Sequence, residues 1–130
     1  MAQMVKTTTY NDIELDVLLN QDNAFEIGVQ VSNTGVSADA NGRKIIKAGT
    51  PVGGTVSVLK TRNTVLSVTN TSSNGANAQG VLRHDVDVTN GNANATLIVR
   101  GEVDSSKCPT IATEAETALK HIIFVNGGAY

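Results

Sequence analysis

Residues 79–104, QGVLRHDVDVTNGNANATLIVRGEVD, decide how the rest of the chain is read. Leu82, His84, Val86 and Val88 alternate with Arg83, Asp85 and Asp87. That period of two is the signature of a half-buried β-strand. Asn90-Gly91 supplies the backbone freedom of a tight turn, and a second apolar run, Ala95 to Val99, follows before Gly101 interrupts it. The stretch predicts a hairpin with a self-paired sheet surface and little chemistry. Leu82, His84 and Val86 are therefore expected in the core or at an interface.

Strand candidates extend outward from this hairpin. Residues 24–32 form one, and a polar loop over 33–42 ends at Asn41-Gly42. Residues 43–54, RKIIKAGTPVGG, predict a short strand, a turn at Ala48-Gly49 and a strand entered at Pro51. The β-branched runs 56–59 and 65–68 read as two more strands, and 70–78, NTSSNGANA, as a mobile surface loop. Ile111, Ala115, Ala118, Leu119 and Ile122 follow helical spacing. Thr113 with Glu116, or Thr110 alone, can cap that helix. Residues 121–125 form a terminal strand. Near the N-terminus, Ile13, Leu15, Val17 and Leu19 alternate with Asp12, Glu14, Asp16 and Leu18. This reads as an amphipathic strand with an acidic face, with a short helix the alternative; as a strand it is either an ordinary one of the domain or an arm that adds to a partner's open sheet edge.

Composition narrows the function classes. The 130 residues suit one domain. Hydrophobic residues make up 40% but aromatics only 3%, so the core must be aliphatic and lean, and association would add buried area. Charged residues are 17%, below the roughly 25% of an ordinary soluble protein. Net charge is −2, which argues against a nucleic-acid partner. No apolar run reaches the about 20 residues of a membrane span, and the first ten residues do not resemble a signal peptide. Neither nucleic acid nor membrane is expected as a partner. The single Cys108 excludes an internal disulfide and a cysteine-cluster metal site. The Asn-x-Ser/Thr sequons at Asn70 and Asn94 are expected by chance in so Asn-rich a chain.

The residues offer no recognisable reaction centre. Pro51-Val52-Gly53-Gly54 lacks the spacing and Lys of a phosphate loop. From Asp85, positions six and twelve of a calcium loop would be Asn90 and Thr96 instead of Gly and Glu. Only His84 and His121 could serve a nucleophile, and each has a structural reading. Cys108 would need a His brought to it by the fold. No cofactor and no catalytic residue are expected.

Four blocks carry a resemblance: GRKIIKAGTPVGG (42–54), AQGVLRHDVDVT (78–89), ATLIVRGEVDSSKCP (95–109) and, after the helix, HIIFVNG (121–127). In order and texture they resemble head decoration proteins of tailed phages of the lambda type. They are closer still to the capsid-binding domain of phage head-fibre proteins. The likeness spans about residues 42–126. It implies a small, mainly β sandwich or barrel-like domain of the β-tulip type, with one short C-terminal helix. On that reading, residues 1–24 are an extended N-terminal arm and 25–130 the decoration domain. Without a shaft-forming extension, a compact decoration protein is the expected variant. The resemblance further implies a homotrimer made in the host cytoplasm and carried on the virion exterior. It would bind the major capsid protein at three-fold and quasi-three-fold positions and cement the shell. On this reading Ile13, Leu15 and Val17 add to a capsid strand, and Arg43, Lys44 and Lys47 face acidic capsid loops. The alternatives are a surface carbohydrate-binding or adhesion module, disfavoured by the lack of Trp, and a small Cys108-dependent hydrolase.

Overall fold

The computed structural model of the chain describes residues 17–19 and 24–126. Among these residues eight strands are formed: β1 (Phe25–Val31), β2 (Ile45–Ile46), β3 (Pro51–Gly53), β4 (Val65–Val68), β5 (Ala78–Leu82), β6 (Val86–Asp87), β7 (Ala93–Asp104) and β8 (Ile122–Val125). Among the described residues one α-helix, α1 (Thr113–Ala118), is formed, and it precedes β8. Strands β1, β4, β3, β5 and β7 are hydrogen-bonded in that order, and β7 pairs back onto β1, closing a five-stranded barrel. Only the β1–β4 contact of the barrel is parallel. Closure leaves these five strands without a free edge, which protects so small a sheet from stray pairing. The expectation of a mainly β, barrel-like domain with one short helix matches this architecture.

β7 organises two cores. Its first part pairs with β1 and β5, and its last four residues pair in parallel with β8. Leu18 bridges Val103 on the remaining side. Val29, Val31, Val52, Val58, Leu66, Leu82 and Leu97 fill the barrel. Val17, Leu18, Val81, Ile98, Val103, Ala115, Leu119 and Ile122 form a second core under α1. Adjacent residues thus point into different cores: Val81 and Leu82, and likewise Leu97 and Ile98, are all fully buried. A strand covered on both faces shows a continuous apolar run instead of alternation.

Several expectations change at the level of elements. The strand predicted through 82–88 is broken. β5 ends at Leu82, residues 83–85 turn a corner, and β6 pairs with β2 and not with β7. The turn at Asn90-Gly91 exists, with Gly91 N donating to Val88 O at 3.2 Å, but the strands that flank it are not each other's partners. Leu82 and Val86 remain inside, whereas His84 falls on the corner and is exposed. The run 56–59 is a turn. Gln79 takes the place of a strand partner there: its Nε2 donates to Gly54 O and Val56 O at 3.1 and 2.8 Å, and its Oε1 accepts from Val58 N at 2.8 Å. Val58 alone enters the barrel core.

The 70–78 segment is a packed element and not a free loop. A 3-10 turn at Gly75–Asn77 lies against α1, and a Cβ at Gly75 would come within 2.7 Å of Ala115 N. α1 is shorter than its apolar spacing predicts, and its start is capped neither by Thr110 nor by Thr113 with Glu116. Asn70 does this from across the fold: Oδ1 accepts from Ala112 N at 2.7 Å and Nδ2 donates to Thr110 O at 2.8 Å.

Candidate functional site

A concavity of about 670 Å³ lies where the turn at 47–49, the corner at 83–85 and the segment 105–109 meet, with Val17 at its rim. Each wall is fixed by polar contacts that follow from its sequence. At the turn, Gly49 adopts φ +86°, a conformation open to Gly at little cost, and its N donates to Leu82 O at 2.7 Å. At the corner, Asp85 Oδ1 accepts from Ala48 N at 2.7 Å. Arg83 Nη1 donates to both carboxylate oxygens of Glu26, at 2.8 and 2.9 Å, in a largely buried pair. In the third wall, Asp104 Oδ1 accepts from Ser106 N at 3.0 Å and from Ser106 Oγ at 2.6 Å. Lys107 Nζ stands 3.9 Å from Asp104 Oδ2.

The concavity brings Lys47, Arg83, His84 and Lys107 together with Cys108. His84 and Cys108 thus share one cleft, the juxtaposition that a thiol nucleophile would need. The geometry around sulfur opposes that use. Cys108 Sγ donates to Asp104 O at 3.4 Å, and its side chain packs against the backbone of Gly49. Burial, and secondarily the Asp104 carboxylate, push the thiol pKa up to about 11. A neutral thiol is a poor nucleophile. Among the described residues no group of three His, Cys, Asp or Glu side chains could hold a metal ion.

The predicted contact residues separate into distinct places. Ile13 and Leu15 lie outside the described residues. Val17 is only 1% exposed and sits in the second core, its carbonyl accepting from Asp104 N at 2.8 Å. Its side chain is therefore not available to a partner, a correction that also places 17–19 with the packed domain and not with an arm. Lys47 lines the concavity. Arg43 and Lys44 precede β2, roughly 10 Å further along the β2–β6 ribbon. There Asp39 Oδ1 accepts from Arg43 N at 3.0 Å, and Thr89 Oγ1 from Lys44 N at 2.8 Å. The backbone N–H groups of Arg43 and then Asn41 hold the Asp39 carboxyl below its usual range, and the Thr89 hydroxyl and N–H do the same for Asp87. Of the trio assigned to core or interface, Leu82 and Val86 are core, and His84 is a cleft residue.

Arg83 and Lys107 are the functional-site residues that sequence reading missed. The run Arg83-His84-Asp85 carried the signal, since three polar residues in succession sit poorly inside a strand. A second surface feature is apolar. Leu19 N donates to Glu102 O at 2.9 Å, and Glu102 is in register with Ile123. Register partners share a face. Leu19 and Ile123 are 47% and 59% exposed and so flank Glu102 on the side away from the second core. Phe25, in register with Arg100, continues the row and is 45% exposed.

No family model matches the chain, and no curated protein matches it.

Proposed function

We propose that the chain is a structural virion protein, without enzymatic activity, that binds the outer surface of an expanded icosahedral capsid as a homotrimer. It sits at three-fold and quasi-three-fold positions and holds neighbouring major capsid subunits together against the pressure of packaged DNA. The observation that carries this reading is that Leu19, Phe25 and Ile123 stand exposed, interleaved with Glu102 and Arg100, on a domain whose own cores are aliphatic and lean. Large apolar side chains exposed among polar ones suit an interaction surface. The four sequence blocks that resemble decoration proteins supply the identity of the partner in this reading. They contribute β2, β3, β5, β6, β7 and β8 to the barrel and its flanking sheet.

The mechanism is thermodynamic. A ligand that binds only the mature lattice stabilises that lattice by mass action. Three linked protomers turn individually weak contacts into a durable one through their effective concentration. The test combines sedimentation with shell pelleting, on the natural chain and on Ile123→Glu. The natural chain should sediment as a trimer and pellet with mature shells, and Ile123→Glu should lose both properties while keeping its barrel. A natural chain that stays monomeric and remains in the supernatant with mature shells would refute the reading.

A further inference from the structure

Asn-Gly dipeptides at 41–42, 74–75 and 90–91 lie wholly among the described residues. Glycine has no side chain to shield its backbone nitrogen, and that nitrogen can attack the amide carbon of the asparagine before it. The fold treats the three dipeptides differently. We infer that Asn90 is a site of spontaneous covalent modification, converted through attack by the Gly91 nitrogen to aspartate and isoaspartate, while Asn74 is protected. In the first step the Gly91 N–H gives its proton to solvent base, and the nitrogen forms a bond to Asn90 Cγ. The Cγ–Nδ2 bond breaks, and Nδ2 leaves as ammonia after taking a proton from solvent. One water then opens the five-membered imide. Cleavage at Cγ gives aspartate, and cleavage at the backbone carbonyl gives isoaspartate, with the chain running on through Cβ and Cγ. Nothing is oxidised or reduced, and water is the sole reagent consumed.

Hydrogen bonding and packing rank the three sites. Asn90 is exposed, and its side chain joins no hydrogen bond among the described residues. Gly91 N donates to Val88 O at 3.2 Å, the long end of the range for such bonds. Gly91 lies at φ +125°, and a Cβ there would meet nothing within 4 Å, so its surroundings are open. Asn41 is also exposed, but its turn is pinned. Asp39 Oδ1 accepts from Asn41 N and Arg43 N at 2.8 and 3.0 Å, and Gly42 N donates to Asp39 O at 3.0 Å. Asn74 is clamped at both ends of its amide. Oδ1 accepts from Thr71 N at 3.1 Å and from Thr71 Oγ1 at 2.6 Å, and Nδ2 donates to Val68 O at 3.3 Å. The attacking Gly75 N is itself bonded to Thr71 O at 2.8 Å, and Gly75 is buried against α1. Attack there requires the turn to open first. Conversion at 90 adds one negative charge to a chain of net −2. It does so at the Arg43–Lys44 end of the β2–β6 ribbon, where Val88 N donates to Lys44 O and Lys44 N to Thr89 Oγ1, each at 2.8 Å. The inference concerns the isolated chain and stands independently of the capsid reading.

Peptide mapping by mass spectrometry tests it on the folded full chain, sampled during incubation at neutral pH. Digestion in heavy-oxygen water labels any conversion made during handling. Asn90 should convert first and Asn41 next. Asn74 should convert at least about tenfold more slowly than Asn90, because its amide must first give up three hydrogen bonds. In urea the fold no longer discriminates, and the three rates should converge. Both aspartate and isoaspartate should appear at position 90. Thr71→Ala removes the hydroxyl that contacts Asn74 Oδ1 and Asn74 N, and should speed conversion at 74 while leaving Asn90 unchanged. An Asn90 rate in the folded chain no faster than that of Asn74 would overturn the inference. So would an order that persists undiminished in urea, since local sequence and not the fold would then set it. Aspartate alone at 90 would mean direct hydrolysis of the side-chain amide and would remove the role assigned to Gly91.

Discussion

Gly49 and Cys108 show how much a single position decides. Gly49 lies at φ +86°, and a Cβ there would stand 2.8 Å from Cys108 Cβ and closer still to its sulfur. Gly49→Ala meets two penalties, left-handed backbone for a residue with a Cβ and overlap with the thiol. Together they should cost about 3 kcal/mol in urea unfolding. An unchanged midpoint would mean that the turn relaxes freely. Cys108 itself titrates at about 11 in the folded chain, above its ordinary value of 9.0. A raised pKa means that the native state binds the proton more tightly. The contribution of this thiol to stability is therefore complete below pH 9 and declines as pH rises toward 11. Disulfide-exchange reagents at neutral pH should label the folded chain on the order of a hundredfold more slowly than the unfolded one. Equal rates would reopen the case for a reactive thiol. Ala48-Gly49 was legible as a turn because the dipeptide states its own geometry. The cleft role of His84 was not, because the alternation of 82–88 counts residues and is blind to a corner. Two adjacent contacts make that corner, the Asp85 carboxylate on Ala48 N and Arg83 on Glu26, and both reach residues far away in sequence.

At the scale of elements, long-range side-chain hydrogen bonds replace the local signals on which sequence reading relies. Asn70 serves α1 in place of the Thr–Glu box that the local sequence offers, and Gln79 serves the 54–58 turn in place of a strand partner. The expected strand at 56–59 failed for this reason. β-branched residues signal a fit to a pleated surface, but a polar side chain satisfied the backbone first. Strand 25–31 was legible because Ile27, Val29 and Val31 follow one face of a real sheet, and 65–68 because its β-branched residues do find strand partners. Asn70→Ala removes the cap and a second hydrogen bond, and should cost about 1–2 kcal/mol. Hydrogen exchange should locate the loss, with protection falling in 110–119 and the 75–77 turn while β1 and β7 keep theirs. Uniform loss across the barrel would contradict an independent role for this clamp.

For the whole molecule, the barrel was legible as a class but not as a topology. Composition and alternation gave many short strands and one helix. They could not give the parallel β1–β4 contact, the β1–β7 pairing that closes the barrel, or β7 serving two cores, because all depend on pairings between residues far apart in the chain. The buried neighbours Val81-Leu82 and Leu97-Ile98 were visible as apolar pairs, and in hindsight each pair required cover on both faces. Outside these cores stands the row of Leu19, Ile123 and Phe25, exposed beside Glu102 and Arg100. Cementing a shell is the proposal that unites this row with the sequence resemblance. Electron cryo-microscopy of mature shells with and without the added chain tests it most directly. Trimeric density is expected at the local three-fold positions, with the 17–19, β7 and β8 sheet turned toward neighbouring protomers or capsid subunits. Shells that look identical with and without saturating protein would contradict it.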